Sequence, residues 1–283
     1  MKTRVISGIV ITIVALAIII PGGYILAGAL YILSLIAYRE LMKAIKLAGY
    51  RNEQEKGEVE NSIFCFSSLE IIGYFGITLF YLLMLFLQIG IFLLVSVIIT
   101  LVIFMGFFVF TFPKYNCRQI MMSMFCFIYG PIMLTFIYMT RMLTCGKYMV
   151  WMIFISSWVC DVAAYFSGML LGKHKLAPVL SPKKSIEGAV GGVLGSALFA
   201  AAYALVLMKN GFVNDNVVFE FAVIAAVGSA VSQVGDLAAS GIKRNEGIKD
   251  YGKLIPGHGG VMDRFDSVIF TAPMIYLLSL ILL

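Results

Sequence analysis

Residues 240–267 read SGIKRNEGIKDYGKLIPGHGGVMDRFDS, and the chain on either side is almost pure hydrocarbon. This one stretch holds five of the 21 Lys and Arg residues, four of the 15 acids and one of the two histidines. Glycines and a proline break it up. The run before it is long enough to cross a bilayer as a helix, which takes about 20 apolar residues, and the run after it approaches that length together with the last residues of the stretch. The stretch therefore predicts a polar connection between two membrane spans, because so much charge has no place inside hydrocarbon.

Composition extends this reading to the whole chain. Of 283 residues, 61% are hydrophobic and only 13% charged, and the mean hydropathy is +0.99. A soluble domain carries about 25% charged residues, so this chain needs the bilayer as its solvent. The pattern predicts an all-α polytopic membrane protein with about nine transmembrane helices, at roughly 5–20, 24–42, 68–88, 91–112, 120–140, 149–171, 188–208, 217–239 and 265–282. Lys2 and Arg4 ahead of the first apolar run suggest a signal peptide. Against cleavage, the run is long and "PGG" at 21–23 turns straight into a second span.

Alternating nine spans sorts the basic residues. One side of the membrane receives 18 of the 21, and the other only Arg141, Lys147 and Lys209. Lys and Arg concentrate on the cytoplasmic side. The N-terminus and the loops at 43–67, 172–187 and 240–263 are thus expected in the cytoplasm, under the inner (plasma) membrane of the cell. The net charge of +6 suits anionic headgroups or phosphate substrates. Nucleic acid is excluded as a partner, because the basic residues sit between spans.

Function is expected to divide the chain near residue 145. Residues 1–144 form a scaffold of about five spans with few intramembrane charges, and "RNEQEKGEVEN" at 51–61 reads as a solvated hairpin. Residues 145–283, about four spans, carry the chemistry. No internal repeat is visible, which counts against a transporter. The five cysteines show no metal spacing and read as small core residues.

Ionisable groups within spans are candidates for function. Asp161 lies mid-span, with Tyr165, Gly168 and Gly172 following on the same helix face. Asp236 lies late in its span and is followed on one face by Ser240, Lys243 and Arg244. The bland alternative for either Asp is a structural hydrogen bond to a neighbouring helix. The loop "GKHKLAPVLSPKKSIEG" at 172–188 suggests a phosphate cradle. Either Ser181, with Pro182 at the first helical position, or Ser185 caps the next helix. Its positive end would lie beside Lys183 and Lys184, unless these lysines only anchor headgroups. Gly188, Gly191, Gly192 and Gly195 open that helix at a spacing suited to close helix packing.

Asp263 and Asp266 stand one helical turn apart at the start of the last span. Carboxylates among several cations are what a Mg²⁺–nucleotide site requires, since Mg²⁺ takes one or two protein carboxylates plus phosphate oxygens and water. "GHGG" at 257–260 lets backbone approach a ligand closely. Spacing alone points to phosphate chemistry at the cytoplasmic face.

The segment resembles the signature of the phosphatidate cytidylyltransferase family (CDP-diacylglycerol synthases) at every fixed position. The matching residues include Ser240, Lys243, Arg244, Lys249, Asp250, Gly252, Pro256, His258, Gly260, Asp263, Arg264 and Asp266. Upstream, "GD" at 235–236, "AYFSG" at 164–168 and "SPKKSIEG" at 181–188 are also similar. Ala239 and Ala163 depart from the Glu and Gly that bacterial relatives often carry.

The resemblance implies transfer of the cytidylyl group of CTP to phosphatidate in the inner leaflet, with Mg²⁺; a second metal ion and a homodimer are left open. It implies Asp236 and Asp263 as principal metal ligands, with Asp266 and Asp161 beside them. Lys243, Arg244, Lys183, Lys184, Lys249 and Arg264 would hold phosphates, Ser240 and Ser185 would donate hydrogen bonds, and His258 would contact the loop or a phosphate. The chemical alternatives are a CTP-using polyprenol kinase and a CDP-archaeol-type synthase.

Overall fold

The computed structural model describes residues 2–45, 66–87, 90–213, 217–254 and 259–283. Within them nine helices follow in order: α1 (Lys2–Ile19), α2 (Gly23–Ala44), α3 (Ser68–Phe86), α4 (Gly90–Thr111), α5 (Cys117–Arg141), α6 (Gly146–Leu171), α7 (Ile186–Lys209), α8 (Val218–Asn245) and α9 (Met262–Leu282). Each overlaps one expected span. Strands β1 (Lys175–Ala177) and β2 (Ser181–Ser185) pair as an antiparallel hairpin between α6 and α7. The eight helices α2–α9 are long and apolar enough to cross a membrane, and the chain is an all-α integral membrane protein.

Local sequence sets the helix starts. Ser67 and Glu70 form a reciprocal capping box at α3, and Asn116 and Gln119 do the same at α5. Two helices contain a π turn. In α5 it spans Ile128–Ile132 and houses Pro131, whose missing N–H would otherwise break the ladder. In α6 it spans Ile155–Val159 and ends just before Asp161. Its wider turn resets the phase of the helix there.

Helix α4 shows the inversion expected of a chain solvated by lipid. Its large hydrocarbons face outward, as with Val102 and Phe110, whereas Ser96 and Thr100 are buried. Both hydroxyls donate back to carbonyls of their own helix, at Leu93 (2.7 Å) and Ser96 (2.8 Å), so no polar group is left for the lipid to solvate.

The fold comprises two compact units. One joins residues 1–14, 24–132 and 250–262; the other joins 15–23, 133–249 and 263–283. In the first, Leu26, Tyr38, Leu41, Ile77, Phe104 and Phe127 form a buried core. Ser34 and Tyr81 hydrogen-bond at 2.9 Å inside it. In the second, α6 and α8 both pack on α7. The small-residue spacing of α7 serves that packing. A Cβ at Gly192 would lie 2.9 Å from Cys160 Sγ, and one at Gly188 would lie 2.8 Å from Ala164 O. Ala163 packs against Gly195, so the extra methyl at 163 meets a position with no side chain of its own.

Several expectations change. Helix α8 runs past the expected end at 239 to Asn245, and Lys243 and Arg244 in its last turn suit the negative end of the helix dipole. The expected loop at 172–188 contains the hairpin. Cys126 and Cys160 are buried, but Cys117 and Cys145 are exposed, because both sit at helix starts rather than on packed faces. The hairpin at 51–61, Cys65 and His258 lie outside the described residues.

Candidate functional site

The second unit gathers most of the predicted site residues at the cation-rich ends of α6, α7, α8 and α9. The hairpin is fixed first. Ser185, not Ser181, is the N-cap of α7: its backbone is extended and its hydroxyl accepts from Gly188 N at 3.1 Å. Ser181 instead pairs with Ala177 across the hairpin. Glu187, in the first turn of α7, accepts from the backbone of Lys173 (3.1 Å) and His174 (3.2 Å) and from His174 Nδ1 (2.6 Å). That carboxylate ties the hairpin's start to its end. Strand β2 is thereby held across the start of α7, with Lys183 exposed and Lys184 half-buried.

Lys184 forms an ion pair with Asp236 of α8. A second pair lies two turns further along α8, where Lys243 Nζ donates to Asp263 Oδ1 at 3.1 Å. This second pair is well buried; the Lys243 side chain is 15% exposed and that of Asp263 3%. Gly235 allows the helices to approach, since a Cβ there would lie 3.0 Å from Asp266 O and 2.9 Å from Phe270 Cβ. Asp266 is thus brought beside Asp236, and Asp161 lies close to both as an electrostatic neighbour. Four carboxylates and two lysines from four elements share one region.

A cleft of about 320 Å³ opens beside this region, at the small end of the range for small-molecule sites. Its polar wall carries Asp161, Lys183, Lys184, Ser185 and Gln233. Tyr165, Met169 and Leu176 make the rest of it apolar. Asp161, Tyr165 and Gly168 line it together, as their shared helix face predicts. Gly172 does not; it ends α6 and packs against Ser185. Ser240 is half-buried one turn after Asp236, and Arg244, Lys249 and Arg264 are exposed.

Two residues escaped the sequence reading. Gln233, one turn before Asp236, is buried and donates to Ala189 O at 3.1 Å, so it braces α8 on α7 at the edge of the cleft. The signal was a lone amide in an apolar run. Glu40 lies in the other unit. Its carboxylate is buried and accepts from Val261 N (3.1 Å) and Met262 N (2.9 Å). A Cβ at Gly252 or Gly260 would overlap that carboxylate. Gly260 is therefore needed for Glu40, whereas Gly259 is needed for its backbone, at φ +86°.

Among the described residues, no group of three or more His, Cys, Asp and Glu side chains converges tightly enough to form a metal cage of its own. The oxygen-only carboxylates near Asp236 fit a hard cation that takes one or two protein ligands and draws the rest from phosphate and water.

The model of the cytidylyltransferase family matches residues 2–282. Proteins named phosphatidate cytidylyltransferase align along almost their whole length. The one from Staphylococcus saprophyticus is 33% identical over 283 residues, covering 98% of each chain. Those from Staphylococcus epidermidis and Staphylococcus aureus are 34% identical, also over 98% of each chain. With the match running from one end to the other and the charged signature intact within it, the chain belongs to the cytidylyltransferase family.

Proposed function

We propose that this protein transfers the cytidylyl group of CTP to phosphatidate, giving CDP-diacylglycerol and pyrophosphate, at the cytoplasmic face of the membrane. The observation that carries this reading is the full-length family match, which includes both Lys–Asp pairs. In the reaction a phosphatidate phosphate oxygen attacks the α-phosphorus of CTP. The new P–O bond forms as the bond from the α-phosphorus to the bridging oxygen breaks, and that oxygen leaves with pyrophosphate. The nucleophile has a second pKa of about 6, so it is already anionic at neutral pH and requires no strong general base.

The obstacle is repulsion between two polyanions. Lys184 and Lys243 answer it by presenting ammonium groups held in place by Asp236 and Asp263. Lys183 adds a third cation at the mouth of the cleft, and Arg244, Lys249 and Arg264 add charge around it. The N-terminus of α7 contributes backbone N–H groups and a positive helix end beside Ser185. Asp236, Asp263 and Asp266 would hold Mg²⁺, with Asp161 alongside. Such an ion supplies charge neutralisation and alignment of the phosphates. The apolar wall of the cleft suits a substrate that remains partly in the leaflet, while the charged ends face the compartment from which CTP arrives. The 18-to-3 division of basic residues supports the cytoplasm as that compartment.

The choice of acceptor is open to direct test. Purified protein in mixed micelles with CTP is expected to release pyrophosphate in step with phosphatidate consumed, and to release none with diacylglycerol or a polyprenol. Turnover on a polyprenol in place of phosphatidate would contradict the proposal.

A further inference from the structure

We propose that Glu40 is a positioning residue for the transfer reaction: it fixes the start of α9 and, through it, Asp263. This role depends on Asp263 belonging to the catalytic site. The first N–H groups of any helix lack an intrahelical acceptor. Helices α3, α5 and α7 solve this with Ser67, Asn116 and Ser185 immediately before them. Helix α9 is preceded by Val261, whose side chain has no acceptor. Its cap comes instead from α2, 221 residues away in sequence: Glu40 Oε1 takes Val261 N and Oε2 takes Met262 N.

The arrangement costs more than a local cap. A Ser at position 261 would cap the helix through the N–H of its second or third residue without burying a charge. The glutamate does something that a local cap cannot. It fastens the first turn of α9 to another helix, and it makes Gly252 and Gly260 close on the same carboxylate. Two glycines eight residues apart thus approach one carboxylate. Asp263 is the residue after Met262, so it follows directly on the backbone that Glu40 holds. The carboxylate also sits at the positive end of the helix dipole, and it is only 8% exposed, where such an interaction is little screened.

The test uses the full-length enzyme in detergent–phosphatidate micelles, with turnover expressed per folded, monodisperse protein. Glu40→Gln keeps the size but turns an N–H donor toward a backbone N–H. It is expected to lower kcat at least about tenfold, since misplacing a catalytic group by about 1 Å costs up to about a hundredfold, while KM for phosphatidate stays within about twofold. Glu40→Asp, which keeps the charge on a shorter arm, is expected to recover part of the loss. The decisive comparison is a double-mutant cycle with Asp263→Asn. A residue that acts through Asp263 costs nothing further once that carboxylate is gone, so Glu40→Gln/Asp263→Asn should match Asp263→Asn. Losses that multiply, or a drop in turnover that merely follows the thermal midpoint across the Gln and Asp variants, would overturn the role of Glu40. Normal turnover in Asp263→Asn would overturn the site assignment instead. If Glu40→Gln does not fold, Glu40→Asp goes through the same cycle with the same criteria.

Discussion

Asp263→Asn is expected to lower turnover at least about a hundredfold at equal membrane abundance, the loss typical of one strong electrostatic interaction in a transition state. The amide keeps the volume of the side chain and removes its charge. Lys243 then loses the buried carboxylate to which it donates, and the site loses a carboxylate that would hold Mg²⁺ beside Asp266. Breaking a buried pair from one side also destabilises, by about 3–5 kcal/mol, so rates must be expressed per folded enzyme. Asp263→Glu separates the two effects. It keeps the charge and the pair but moves the oxygens by one methylene, and it should fold while turnover still falls sharply. Activity of Asp263→Asn within about threefold of wild type would remove this residue from the site.

Lys184→Met is expected to cost about as much, roughly a hundredfold, and Lys183→Met much less. Both lysines lie on β2 and both would satisfy a headgroup anchor, which needs only positive charge near the surface. Their surroundings differ. Lys183 is exposed, whereas Lys184 is about a quarter exposed and paired with Asp236. Removing Lys184 leaves Asp236 facing Asp161 and Asp266 with less positive charge to offset their repulsion, and it takes away an ammonium group at the cleft. Lys184→Arg should restore only part of the activity, because a planar guanidinium cannot replace a compact ammonium at this contact. Initial rates against both CTP and phosphatidate decide the matter. Equal, small effects at positions 183 and 184 would return both lysines to the anchor role.

The spans were readable because lipid leaves a simple mark on a sequence: long apolar runs punctuated by charge. The carboxylates and lysines of α8 and α9 were readable because helical spacing places Asp236 and Lys243 on one face, and the charged stretch at 240–267 has no other use in so apolar a chain. The pairing was not. That Lys184 reaches Asp236 depends on a hairpin, and the hairpin depends on Glu187 gathering the backbone of Lys173 and His174. Such a bond joins residues whose types alone suggest only a polar loop. Either Ser181, with Pro182 behind it, or Ser185 could cap α7 by local sequence; the hairpin, a non-local effect, keeps residues 181–185 extended, so the helix begins only after Ser185. Glu40 was hidden by its place near a span end, between Arg39 and Lys43, where a charge reads as a headgroup contact. Its partners lie in a distant loop, and the glycines that make room for it looked like space for a ligand.

The bond that breaks in CTP tests the central claim most directly. Protein purified in mixed micelles with phosphatidate is given CTP labelled with ³²P at either the α- or the γ-position, and the extracted lipid is counted. Cytidylyl transfer predicts that α-label enters the lipid and γ-label leaves in pyrophosphate. Label entering the lipid from the γ-position, with none from the α-position, would make the enzyme a kinase and contradict the account.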